Sequence, residues 1–124
     1  MPEVTIKRIE EVDYYKGPNA IEGIRFRSAG RELGVTAWGM NVLELAPHCM
    51  KYPEHDHVRD GQEEVYVVLR GVAHLRAGGE DRRLEAGSLV RVAPGCKRAW
   101  LTDEEGATLL ALGATPGQAY AGLP

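Results

Sequence analysis

Apolar residues in this chain recur in short runs with a period of two, and glycine or proline interrupts each run before a helical period is sustained beyond about two turns. Ile24-Arg25-Phe26-Arg27 alternates cleanly, and Glu64-Val65-Tyr66-Val67-Val68-Leu69 is a longer β-type run. The pattern predicts strands over Ile24 to Ser28, Val35 to Leu45, Met50 to His57, Glu64 to Arg70, Ala73 to Ala77, Asp81 to Leu84, Ser88 to Ala93, Lys97 to Leu101 and Thr108 to Leu112. Short strands at this regular spacing favour an all-β sandwich or barrel. Gly78-Gly79 permits positive φ at both central positions of a tight hairpin, and Asp60-Gly61 is a second turn signal. A single domain over residues 1–124 is expected, with a barrel over about 24–113 and an irregular tail over 114–124 that lies across the body or a partner subunit.

Composition narrows the function classes. At 124 residues the chain has room for one real core and is too short for a second module such as a helix-turn-helix. A balance of 44% apolar to 27% charged residues is that of an ordinary globular protein. The net charge of -3 gives no basic face for nucleic acid or anionic lipid. The opening MPEVTIKRIEEVDYY lacks an apolar signal core. No later stretch approaches the roughly 18 uninterrupted apolar residues of a membrane span. A cytoplasmic location is therefore expected, with no nucleic-acid or membrane partner. Cys49 and Cys96 are expected to be free thiols in a reducing compartment.

The chemistry concentrates in His55-Asp56-His57 and Glu64. Side chains two apart on an extended segment point the same way, and a carboxylate opening the next strand can complete a three-ligand set. Two histidines and one carboxylate with open positions suit non-haem Fe(II), and equally Zn, Ni or Mn. His55, His57 and Glu64 are thus the candidate ligands of a divalent transition metal.

Pro53-Glu54-His55-Asp56-His57 followed by Glu64-Val65-Tyr66-Val67-Val68-Leu69-Arg70-Gly71 resembles the first signature of the cupin superfamily. Gly87-Ser88-Leu89-Val90-Arg91-Val92-Ala93-Pro94-Gly95 resembles the second, with both glycines in register. The resemblance implies a double-stranded β-helix, a jelly-roll barrel whose mouth holds a metal or small ligand, and it makes a homodimer the expected assembly. The chain departs from the signatures in three places. Cys49 stands for the glycine that usually opens the first, and the gap from His57 to Glu64 is enlarged by the Asp60-Gly61 turn. Most consequentially, Arg98 stands where the family places a fourth metal ligand, a histidine.

An arginine keeps its proton and cannot ligate a metal. At an effective dielectric near 20, a guanidinium about 4 Å from Glu64 gains on the order of 4 kcal/mol, while one about 5 Å from a divalent ion suffers roughly 6–7 kcal/mol of repulsion. Two placements follow. With its head in the fourth-ligand position, Arg98 pairs with Glu64 and replaces the metal. Extended toward the mouth, it leaves the metal site free and docks an anionic ligand through forked hydrogen bonds.

Strand parity puts Tyr66 on the same face as Glu64, and Trp100 and Thr102 on the same face as Arg98. Arg98, Tyr66 and Trp100 are therefore the candidate ligand-binding residues on the cavity wall. His48 reads as a surface residue, Glu63 should face outward, and the parity of His74 relative to Glu64 crosses a glycine turn and is indeterminate. No residue pair forms a recognisable acid/base dyad, so enzyme status and reaction type stay open. The functional alternatives are a metal-dependent enzyme acting on a small carboxylate or other oxygen-rich metabolite, a metal-free binding or sensing module, and a dimeric scaffold closed by an Arg98–Glu64 salt bridge.

Overall fold

The structure, a computed structural model, describes residues 3–121. Residues 122–124 of the expected tail lie outside the described residues. In chain order the elements are β1 (Ile24–Arg27), α1 (Ala29–Leu33), β2 (Gly39–Leu45), β3 (Glu63–Ala77), β4 (Glu80–Glu85), β5 (Leu89–Val92), β6 (Arg98–Leu101) and β7 (Ala107–Ala114), preceded by a 3-10 turn at Ile9–Glu11. Every pairing is antiparallel. The strands run β1-β2-β7-β3 across one sheet, where β5 also pairs the first half of β3, and β4 and β6 flank the second half of β3 in the other. This is the all-β arrangement that the strand pattern predicts and the jelly roll that the family resemblance implies.

β3 joins the two sheets, and its fifteen residues take in two of the predicted strands. They merge because Gly71 bends the chain without breaking it. Its φ of +75 is a left-handed value, and a Cβ there would lie 1.9 Å from the Gly106 carbonyl oxygen, so only glycine lets the backbones approach. Just before the bend, Val68 pairs with Leu109 and Arg70 with Thr108, which leaves Leu69 as the extra residue of a bulge. The inward face therefore changes parity. Tyr66 and Val68 are buried before the bulge, Ala73 and Leu75 after it. His74 is turned outward, bridging Asp81 Oδ1 at 3.1 Å and Asp103 Oδ2 at 2.6 Å.

The predicted hairpin is present: Ala77 pairs with Glu80 across Gly78 and Gly79, both at positive φ. Two other expectations are corrected. The segment Met50 to His57 is not a ladder strand, because Pro53 offers no N–H; it is tied in by one isolated bridge between His55 and Arg98. The run from Val35 begins its strand only at Gly39, since Ala29–Leu33 forms a short helix that Gly34 ends in the left-handed conformation. Leu45, Val68, Leu75, Trp100 and Leu109 fill one end of the space between the sheets. Leu43, Tyr66 and Ala111 belong both to this core and to the wall of the cavity beyond it. Both cysteines are free, and no helix among the described residues is long and apolar enough to cross a membrane.

Gly71→Ala should destabilise the protein by on the order of 3 kcal/mol, since left-handed strain adds to a backbone collision. A urea titration checks this; an unchanged midpoint would contradict the close approach.

Candidate metal centre

Both candidate signatures are fastened together through the backbone. His55 N–H donates to the Arg98 carbonyl at 3.1 Å, Arg98 N–H donates back to His55 at 2.9 Å, and His57 N–H donates to the Pro94 carbonyl at 2.8 Å. The histidine segment is thus extended at the one place where its side chains must point together. The His55 and His57 rings lie 5.1 Å apart, nearly perpendicular. Glu64 enters from β3, between Val92 of β5 and Gly113 of β7. A ligand atom from each of His55, His57 and Glu64 lies within 4.8 Å of the other two.

The proton arrangement favours ligation. His55 Nδ1 is 3.0 Å from the Pro53 carbonyl oxygen, which can only accept, so Nδ1 carries the hydrogen and a neutral ring keeps its lone pair on Nε2. His57 Nδ1 lies 3.1 and 3.2 Å from the two carboxylate oxygens of Asp60, with the same consequence. His57 Nε2 is buried without a hydrogen-bond partner, although Glu64 Oε1 is only 3.2 Å away. That approach has ion-pair distance but lacks hydrogen-bond direction. Two lone-pair atoms this close repel unless a cation or a second proton joins them. Donors adjacent on an ion at about 2.0–2.1 Å are themselves separated by about 3 Å. The residues present therefore fit a divalent metal.

Of the two placements anticipated for Arg98, the pairing with Glu64 is present and the extension toward the mouth is not. The Arg98 side chain has no exposed surface; Nη1 donates to Glu64 Oε1 at 3.1 Å and Nη2 to the Ala93 carbonyl at 2.9 Å. It sits behind the carboxylate and is not among the residues lining the cavity. The Arg98–Glu64 salt bridge exists, yet His55, His57 and Glu64 still line the open cavity. Tyr66 Oη donates to the same Glu64 Oε1 at 2.7 Å, while Oε2 accepts no hydrogen bond among the described residues. Oε1, the oxygen that also faces His57 Nε2, is thus held in place by two donors.

Burial pushes the Tyr52 phenol up to about 12, with Tyr66 opposing and the Glu64 charge adding. Burial raises Tyr66 too, helped by the charges of Tyr52 and Glu64. Both phenols are consequently hydrogen-bond donors at neutral pH, and Tyr66 serves as a positioning group for Glu64. Burial raises Asp60, but the Gln62 N–H and the His57 ring outweigh it and hold Asp60 below its usual value. Asp60 is therefore an ionised acceptor for His57 Nδ1–H.

The cavity is about 910 Å³. Of the residues expected on its wall, Tyr66 is there and Trp100 and Thr102 are not. Trp100 is fully buried, with its ring 5.3 Å from that of Tyr66, and β6 faces the core along its whole length. Thr102 Oγ1 donates to Ala46 O at 2.5 Å and accepts from Cys49 N–H at 2.8 Å, closing a loop instead. The sequence reading missed Asp60 as a partner of His57, although its spacing of three residues was visible. It also missed Tyr52, Tyr15 and Ile21, and the tail residues Gln118 and Tyr120, all of which line the cavity. Thr115 Oγ1 fixes the tail by donating to the Asp60 carbonyl at 2.7 Å. Nothing local in the sequence signals that approach of the tail to the loop after His57.

The chain belongs to the cupin domain family, whose profile matches residues 41–112. It matches no curated protein sequence. Among solved structures it is similar to a predicted oxalate decarboxylase from Thermotoga maritima (TM-score 0.70, 18% identity, 90% of this chain and 99% of that one). It is also similar to a sugar phosphate isomerase from Silicibacter pomeroyi (TM-score 0.72, 17% identity, 93% and 77%). The polyketide cyclase RemF from Streptomyces resistomycificus aligns equally well (TM-score 0.70, 17% identity, 97% and 88%). At these identities the likeness establishes the fold, and the three different named activities fit a shared scaffold.

Asp60→Ala should weaken metal binding about 10- to 100-fold by releasing the His57 ring, the usual cost of losing a ligand's outer partner. Calorimetric titration with Zn(II) or Ni(II) reads this; unchanged affinity would mean that the Asp60 contact does not orient the ligand.

Proposed function

We propose that this cupin barrel binds a divalent transition metal through His55, His57 and Glu64 and presents it to a small oxygen-bearing molecule in the adjoining cavity. The observation that carries this reading is His57 Nε2, buried and unpartnered 3.2 Å from Glu64 Oε1 while its other ring nitrogen is held by Asp60. A bound ion would supply Lewis-acid polarisation of a ligand oxygen or lower the pKa of bound water. The chain's own residues do the rest. Pro53 O and Asp60 orient the imidazoles, while Arg98 and Tyr66 hold one oxygen of Glu64. The apolar wall excludes water from one side of the ligand.

A metal-free binding module is the second reading, and the Arg98–Glu64 ion pair favours it. The guanidinium already balances the carboxylate that a metal would need. Self-association is the assembly we propose, supported by the outward faces of β3 and β5, where Val65, Leu69 and Leu89 are exposed.

Untagged protein exposed to Fe(II), Mn(II), Ni(II) or Zn(II) should retain one equivalent of metal, and His57→Ala should retain none. A metal at about 100 times its dissociation constant should stabilise the fold by roughly 2.7 kcal/mol in a thermal-shift assay. A wild type that stays empty while Arg98→His loads metal would sink the first reading and make Arg98 a metal excluder. Leu89→Asp should shift a dimer toward monomer in sedimentation velocity; a wild type that is monomeric removes the assembly proposal.

A further inference from the structure

The cavity is chemically two-sided. Its charged pole holds Glu64 and Asp60 with the two histidines, while the remaining wall includes Ile21, Ile24, Phe26, Leu43 and Ala111. The arginine that might have served a second acidic group is absent from this wall, because Arg98 is fully buried with Nη1 and Nη2 bonded to Glu64 and Ala93. Arg59 is the only cationic side chain among the described lining residues, and it is exposed to solvent. The polar side chains elsewhere on the wall are neutral, such as Asn41, Gln62 and Gln118.

Charge and size then select the ligand. A divalent ion with Glu64, Asp60 and Arg98 amounts to a net charge of about +1 at the pole, enough for one ionised oxygen group. A second carboxylate or a phosphate would meet aliphatic and aromatic side chains and neutral donors such as Asn41 and Gln62, with no buried cation to offset the cost of its lost hydration. A volume of about 910 Å³ is that of a drug-sized ligand's pocket, room for on the order of 30 waters. A small acid alone would leave most of that apolar wall wet. We infer that the cavity takes a mainly apolar molecule, of at least one aromatic ring, carrying a single ionised oxygen group with a neighbouring oxygen donor, and that it discriminates against small dicarboxylates and phosphates. This rests on the metal reading above for its charged pole, and on the wall itself for its apolar end.

Three probes share one 2-hydroxy-acid head and differ only in what it carries: lactate a methyl group, mandelate a phenyl ring, malate a second carboxylate. Calorimetry on Ni(II)-loaded protein should give mandelate at least tenfold tighter binding than either lactate or malate, about 1.4 kcal/mol. Metal-stripped protein should keep that order at lower affinity, because the wall is unchanged. Malate binding as tightly as mandelate, all three binding alike, or none binding would overturn the inference. If Ni(II) fails to load, the metal reading falls, and the order of the three on the metal-free protein still decides the ligand class.

Discussion

A guanidinium with no exposed surface has to be neutralised where it lies, and the site is organised around that requirement. Arg98 meets Glu64 at 3.1 Å and the Ala93 carbonyl at 2.9 Å. Stranding such a cation by removing its partner costs about 3–5 kcal/mol, so Glu64 is bound to this orientation whether or not anything else uses it. The same residue's backbone holds His55 in both directions. A single position on β6 therefore sets the carboxylate through its side chain and the histidine segment through its main chain. Tyr66, kept protonated by burial, closes the arrangement on the same oxygen.

What the sequence revealed and what it concealed divide along a physical line. The histidine pair, Glu64 and the Gly78-Gly79 hairpin are local signals, and they come together or form as the spacing suggests. Alternation along a strand is also local, but a bulge is decided by the partner strand. The extra residue Leu69 reverses the inward face of β3, which is why the direction of His74 was not readable from its distance to Glu64. Trp100 has the parity of Arg98 and still misses the cavity, since all of β6 is buried in the core. Parity assigns a face without saying what lies in front of it. For the Arg98 head the sequence offered Glu64 as one of two destinations, and that pairing is present, while the second acceptor, the Ala93 carbonyl, lies on a different segment and was not visible.

The residues that match the family and many of those facing them across the cavity come from different parts of the chain. The family match covers residues 41–112, which contain the histidines, Glu64 and both signatures. Much of the wall facing them comes from outside that span, including Tyr15, Ile21, Phe26, Gln118 and Tyr120. The three similar structures, at 17–18% identity, carry three different named activities on this shared fold. A common barrel can be kept while the chain ends differ around it.

The two largest departures from the family's first and second signatures offset one another. Replacing a neutral histidine by Arg98 adds one positive charge behind Glu64 and would by itself weaken the hold on a cation. The enlarged loop between His57 and Glu64 supplies Asp60, whose carboxylate lies 3.1 Å from His57 Nδ1 and adds one negative charge on the other side. With both present, the summed charge around an ion is the same as with neither. Asp60 also makes His57 a better donor through its Nδ1–H. An ion held here would have one protein ligand fewer than the family signature supplies, with His57 oriented by Asp60.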